Sequence, residues 1–208
     1  MIDKITSWKF AEDFASEPVE IRAARRSANE LGVESITEAT GNQLAVIAGL
    51  SKAKSIVEVG TGAGVSGLWL LSASSDSVLT TIDSEPEYQL AARENFKQAE
   101  IAPSRIRVIS GRAASVLANM AEAAYDLVFL DLNPVDLEEV LPLAIGLTKP
   151  GGALVIAHAL WRDRVPNPTL RDEETSSIRT AMQALADSED FIVSVSLVGD
   201  GLLIANKR

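Results

Sequence analysis

The chain has 208 residues, 47% of them hydrophobic, which is enough to fill one sizeable core and too apolar for a disordered chain. Nineteen Lys and Arg against 29 Asp and Glu leave a net charge of -10, the wrong sign for a protein that binds by neutralising phosphates, so no nucleic-acid partner is expected. The absence of cysteine excludes disulfides, thiolate metal sites and a cysteine nucleophile, and with no apolar run of ~18 residues and no apolar leader after Met1-Ile2-Asp3-Lys4 the expectation is a soluble, cytoplasmic protein with no membrane partner.

Two helices are predicted first. Ser16-Glu17-Pro18 reads as a helix start, Val19, Ala23, Ala24, Ala28 and Leu31 recur at helical spacing, and Gly32 is a stop. A second helix is predicted from about Thr37 to Leu50. Five short apolar runs follow: Ser55 to Val59, Ser77 to Ile82, Ile106 to Ile109, Asp126 to Leu130 and Ala153 to Ala157. Their near-continuous apolar character is that of parallel strands buried on both faces. Crossover helices fit between them, from Pro86 to Ala99 and from Val135 to Thr148, the latter closed by Pro150-Gly151-Gly152. Alternating strand and helix predicts a doubly wound α/β sheet. Phe191 to Val198, the turn Gly199-Asp200-Gly201 and Leu202 to Ala205 then predict a terminal antiparallel hairpin. One domain is expected over 1–208, with a helical cap at 1–52 and the sheet in 53–208. The Val165-Pro166-Asn167-Pro168 stretch reads as a loop after the fifth strand.

The sharpest motif is Glu58-Val59-Gly60-Thr61-Gly62-Ala63-Gly64-Val65-Ser66-Gly67, at the end of the first strand and the start of a helix. Glycines there let the backbone turn tightly and approach a ligand, and the free N–H groups of the helix can receive an anion. Gly62, Gly64 and Gly67 match a dinucleotide-type pattern, with Asp83 about 20 residues on to hold a ribose. The strand, however, ends at Val59, so the turn begins at Gly60 with the acid Glu58 inside the strand end. A carboxylate there disfavours a pyrophosphate and suits a ligand bearing an ammonium group. A nucleoside joined to an amino acid is S-adenosylmethionine, which this reading favours over NAD.

At these residues the chain resembles the class I S-adenosylmethionine-dependent methyltransferases, and more narrowly the small catechol O-methyltransferase-like bacterial O-methyltransferases. The resemblance runs over about residues 15 to 206 and includes Thr81-Ile82-Asp83, Ser110-Gly111-Arg112-Ala113, Tyr125 to Asp131 and Lys149-Pro150-Gly151-Gly152. It implies a Rossmann-like sheet of seven strands, mostly parallel with a reversed last strand, helices on both faces and a homodimer. It also implies cofactor contacts at Glu58, Gly60, Thr61, Gly62, Gly64, Ser66, Asp83, Gly111, Arg112, Ala113 and Asp131. In the family Asp131 would bind a divalent metal that holds both oxygens of a catechol-like acceptor and lowers the pKa of the attacked hydroxyl.

The sequence departs from that pattern at the acceptor side. Pro134 stands where the family has a general-base Lys, and His158-Ala159 stand where it has a metal-binding Asp-Asn pair. Asp131 plus one imidazole is a poor magnesium site. His158, the one histidine of the chain, is open to three readings: a substitute base, a ligand with Asp131 and Asp136 or Asn133 for a softer ion, or a polar residue without a chemical role. Trp69, Tyr88 and Phe96 are expected in the core. Trp161 is either a stacking wall or a loop anchor, and Arg162, Arg164 and Arg171 either attract an acidic acceptor or are solvated. The function expected is O-methyl transfer from S-adenosylmethionine to a small phenolic or catechol-like acceptor. The alternatives are a non-catalytic S-adenosylmethionine-binding protein of the same fold and an NAD-dependent oxidoreductase.

Overall fold

A computed structural model describes residues 4–208. Three helices precede the first strand: α1 (Lys4–Asp13), α2 (Val19–Glu30) and α3 (Glu38–Leu50). The sequence predicts two, because α1 buries no residue and has no apolar face that a helical period could reveal. Tertiary contacts hold it: the Trp8 indole N–H donates to the Leu197 carbonyl at 3.1 Å, and the Glu12 carboxylate accepts the Gly199 N–H.

The remaining elements are β1 (Ser55–Val59), α4 (Val65–Ser72), β2 (Val78–Asp83), α5 (Pro86–Gln98), β3 (Ile106–Ser110), α6 (Ala113–Leu117), β4 (Tyr125–Leu130), α7 (Leu137–Leu147), β5 (Thr148–Ala157), α8 (Glu173–Ala186), β6 (Phe191–Ser196) and β7 (Leu202–Lys207). They form a seven-stranded sheet in the order β3-β2-β1-β4-β5-β7-β6. β7 alone among the described strands runs against its neighbours, pairing antiparallel with both β5 and β6. The strand order reverses between β1 and β4, the switch point where open α/β sheets place ligands.

Strand periodicity divides the core into two layers. Ile56, Phe129 and Val155 join the cluster under α2 to α5, whereas Val57, Val128 and Leu154 join the cluster under α6 to α8. Both faces of β1, β4 and β5 are therefore buried, as their apolar runs predict. β3 differs: it is one edge of the sheet, and Arg107 on it is exposed. β5 also starts earlier than predicted, at Thr148. The Pro150-Gly151-Gly152 segment lies inside the strand, where the β4–β5 register shifts between Tyr125 and Leu127, so a bulge absorbs residues that read as a closing turn.

Arg105, just before β3, donates to the carbonyls of Leu71, Ser74 and Ser77 and so closes the end of α4 onto the sheet edge. Arg105→Ala leaves three carbonyls without that donor. The expected cost is about 2 kcal/mol, a fall of roughly 4–8 °C in a thermal melt; an unchanged melting temperature would show that water replaces the guanidinium without loss.

Candidate active site

The glycine turn is clasped between two strand ends. The Gly60 N–H donates to the Ile82 carbonyl at 2.9 Å, and the Asp131 N–H donates to the Val59 carbonyl at 2.9 Å. Gly60 has φ +94°, and a Cβ on it would lie 1.9 Å from the Asp131 carbonyl oxygen, so only glycine lets β1 and β4 close up here. Beyond it the Gly62 N–H donates to Asp83 Oδ2 at 3.0 Å. Gly67 serves packing instead, since its missing Cβ would meet Leu79, Phe96 and the Glu58 carboxylate, and it seats α4 on the sheet.

Two cavities open at the carboxyl ends of β1 to β4. One, of about 300 Å³, is lined by Gly60, Asp83, Gly111, Arg112, Ala113 and Asp131 among others. The other, of about 180 Å³, has Gly60, Thr61, Gly62, Ser66, Asp83 and Asp131 on its wall. Asp83 borders both, with Oδ2 accepting from Gly62 and Oδ1 accepting the Glu85 N–H at 3.0 Å. Each oxygen keeps lone-pair capacity for a ligand hydroxyl. Residues 33–36, in the loop between α2 and α3, border the smaller cavity, as does half-buried Tyr88. Tyr88, which helical spacing places in the core, thus borders a cavity instead, whereas Trp69 and Phe96 are buried in the core as expected.

Glu58 and Gly64, both expected at the cofactor, line neither cavity. Gly64 packs on Phe96 and Ala92. Glu58 pairs in register with Thr81 and is fully buried within the sheet. Its Oε2 accepts the Thr81 hydroxyl at 2.7 Å, and Thr81 in turn lies 2.7 Å from the Thr61 hydroxyl, so hydroxyls stand between it and the smaller cavity, which Thr61 lines. Its Oε1 has no hydrogen-bond partner. Burial pushes its pKa from 4.5 up to about 8, against the opposing pull of the Ser66 and Thr81 hydroxyls. Between those pH values the native state holds a proton that the unfolded chain has released, so stability falls as pH rises from about 5 to 8. Glu58→Gln is expected to remove that slope, worth up to about 4 kcal/mol, and melting curves at pH 5 and pH 8 measure it; a wild-type curve already flat over this window would refute the assignment.

His158 follows the last residue of β5 and has φ +55°. Its Nδ1 lies 3.2 Å from Asp200 Oδ2, and its Nε2 lies 3.5 Å from Asp131 Oδ1. Trp161 meets the imidazole edge-on at 6.3 Å and is itself part-buried against the core, so it is a loop anchor that also walls the imidazole. Arg162 lies over the Trp161 ring and reaches Glu34 of the cap. The Asp131 pKa is raised, first by burial and then by the charges of Glu34 and Asp83, with His158 opposing. The arginines named together in the sequence do not act together: Arg164 is paired with Asp172 at 2.6 Å, at the start of α8, and Arg171 is exposed.

The O-methyltransferase family model matches residues 15–208. A protein of Mycobacterium sp. (strain JLS) that bears an O-methyltransferase name is 46% identical over 196 residues, covering 94% of this chain and 89% of its own. This chain belongs to the O-methyltransferase family. Among solved structures, the methyltransferase is similar to a protein of Corynebacterium glutamicum, with a TM-score of 0.90 at 29% identity, covering 99% of this chain and 97% of that one. It shares its fold with the O-methyltransferase TomG of Streptomyces achromogenes, solved in complex with SAM, with a TM-score of 0.86, 24% identity and 99% of each chain covered.

The cavities of this O-methyltransferase suit the cofactor that its sequence implies. An acid, Asp83, sits between the glycine turn on one side and Gly111 to Ala113 on the other. The metal implied for Asp131 does not find a matching donor set. Among the described residues no three His, Cys, Asp or Glu side chains gather as a metal-binding group. Ala159 supplies no ligand where the family pattern has one, and buried Pro134 supplies no amine. Asp200, which the sequence presents only as a turn residue, is the neighbour that the imidazole has instead.

Proposed function

We propose that this O-methyltransferase transfers a methyl group from S-adenosylmethionine to one hydroxyl of a small phenol-type acceptor. The observation that carries the reading is Asp83, whose carboxylate borders both cavities at the sheet's switch point. When bound, S-adenosylmethionine supplies a methyl carbon made electrophilic by its sulfonium. Asp83 accepts the ribose hydroxyls, Gly111, Arg112 and Ala113 flank the adenine, and Gly60, Thr61, Gly62 and Ser66 take the amino-acid end. Arg112 is tied to Glu139 across the larger cavity's rim, which leaves its stem for the purine. His158 takes the acceptor proton beside Asp131, and Trp161 walls the acceptor ring.

The reading places the chain in the cytoplasm as a single domain, which its acidic charge and lack of cysteine support, and as a homodimer. Exposed Ile5, Phe10 and Phe14 on and just after α1, and Ile192 and Val195 on the edge strand β6, are apolar surface that a second copy would cover. The loss of the family's Lys and Asp-Asn positions favours a second reading, a binding protein without transferase activity. Calorimetric titration with S-adenosylmethionine, with NADH as control, followed by assay of a phenol panel separates them. Binding with methyl transfer supports the enzyme, binding without transfer supports the second reading, and no binding by folded protein defeats both.

A further inference from the structure

We infer that Asp200 is a positioning residue that holds His158 as a base for one acceptor hydroxyl, so that the acceptor needs no second, neighbouring oxygen and transfer needs no divalent metal. The inference rests on the methyltransferase reading above and narrows its acceptor from catechol-like to singly hydroxylated.

The antiparallel pairing of β5 and β7 brings Ala157 opposite Leu202, which sets the turn at residues 199–201 beside the imidazole. Asp200 then grips the segment after β5 at three points. Its Oδ2 faces His158 Nδ1, its Oδ1 accepts the Arg162 N–H at 2.6 Å, and its carbonyl accepts the Leu160 N–H at 2.9 Å. That segment is strained: His158, Trp161, Arg162 and Asp163 all have φ between +45° and +58°, a region that side-chain-bearing residues rarely occupy. A turn held in this form by one carboxylate is a device that fixes the direction of the imidazole.

The direction decides the chemistry. With the Asp200 carboxylate accepting a hydrogen bond from Nδ1–H, Nε2 keeps its lone pair on the side of Asp131, which borders both cavities. An acceptor hydroxyl placed there gives its proton to Nε2. Its oxygen lone pair forms the new O–C bond, the bond from that carbon to the donor sulfur breaks with its electron pair going to sulfur, and the imidazole later returns the proton to solvent. One imidazole serves one hydroxyl. A metal that chelates two acceptor oxygens needs several oxygen donors from the protein, and among the described residues no three His, Cys, Asp or Glu side chains gather to supply them.

The test uses untagged protein stripped with EDTA and two acceptors, a phenol carrying one hydroxyl and the matching catechol. Wild type is expected to methylate the single phenol at a rate that neither EDTA nor added magnesium changes by more than twofold. Asp200→Asn would present an amide N–H to Nδ1 and force the other tautomer. It is expected to lower kcat at least 100-fold with KM and S-adenosylmethionine affinity changed less than threefold, and Asp200→Glu to recover part of the loss. Because the chain has one histidine, its imidazole ¹⁵N spectrum reports the tautomer directly, as Nδ1–H in wild type and Nε2–H in Asp200→Asn, a change that a merely structural role would not produce. Activity that requires magnesium, or transfer only to the catechol, overturns the inference while leaving the methyltransferase reading intact, and neither result depends on the variants folding. Cofactor binding without transfer to either acceptor also overturns it, and no cofactor binding defeats the underlying reading.

Discussion

Gly60→Ala is expected to abolish S-adenosylmethionine binding and to lower stability by about 4 kcal/mol or more, a fall of at least roughly 8 °C in melting temperature. Two independent effects combine. The backbone there has φ +94°, which an L side chain adopts only with strain, and the new Cβ would lie 1.9 Å from the Asp131 carbonyl oxygen and 3.0 Å from its carbon. That neighbour is backbone at the end of β4, so no side-chain rotation relieves the clash. Relief would push Asp131 outward, break its N–H bond to the Val59 carbonyl and deform both cavities at once. Gly49→Ala is the control: it lies in α3 with nothing within 4 Å of its missing Cβ, and it should be neutral or stabilising by up to ~1 kcal/mol. Thermal melts and calorimetry on both variants decide the matter, and a Gly60→Ala protein that binds like wild type would show that β1 and β4 do not approach as closely as this.

Asp83→Ala is expected to weaken S-adenosylmethionine binding by about 100- to 1000-fold while leaving the fold in place. The side chain accepts from Gly62 and Glu85, fixing the turn, and in the proposed cofactor orientation it offers its remaining lone pairs to the ribose. Two charge-assisted hydrogen bonds contribute about 3–4 kcal/mol together, which sets the expected range. Asp83→Asn is expected to fall between, because the amide oxygen can still accept from one partner. Calorimetry measures the affinities, and circular dichroism confirms the fold. An Asp83→Ala affinity within threefold of wild type would move the ribose elsewhere and take the proposed cofactor orientation with it.

The cofactor half of the site is largely legible in the sequence because its constraints are local. A turn with φ values of +94°, +48° and +86° at alternate positions admits little but glycine, so Gly60, Gly62 and Gly64 announce it without any knowledge of the sheet. What local reading does not supply is direction. Glu58 reads in the sequence as a carboxylate for an ammonium group, yet the strand buries it against the Thr81 hydroxyl, where it lines neither cavity and burial favours its neutral form. Tyr88 sits on the helix face that spacing assigns to the core, yet it lies in the first turn of α5, where the helix passes the cavity mouth. The acceptor half is less legible still, since His158 gains meaning only from Asp131 and Asp200, respectively 27 and 42 residues away in the chain.

From sequence alone come the α/β alternation, the reversed terminal strand, the glycine turn and the acid that follows it. Each of these is written in a continuous apolar run, a short turn or residues close together in the chain, so it needs no distant partner to be read. The strand order decides the rest. Seating β7 between β5 and β6 puts the turn at residues 199–201 against His158 and gives α1 a surface to lean on, and contacts of this kind, made by residues far apart in the chain with no shared period, exist only once the sheet has closed.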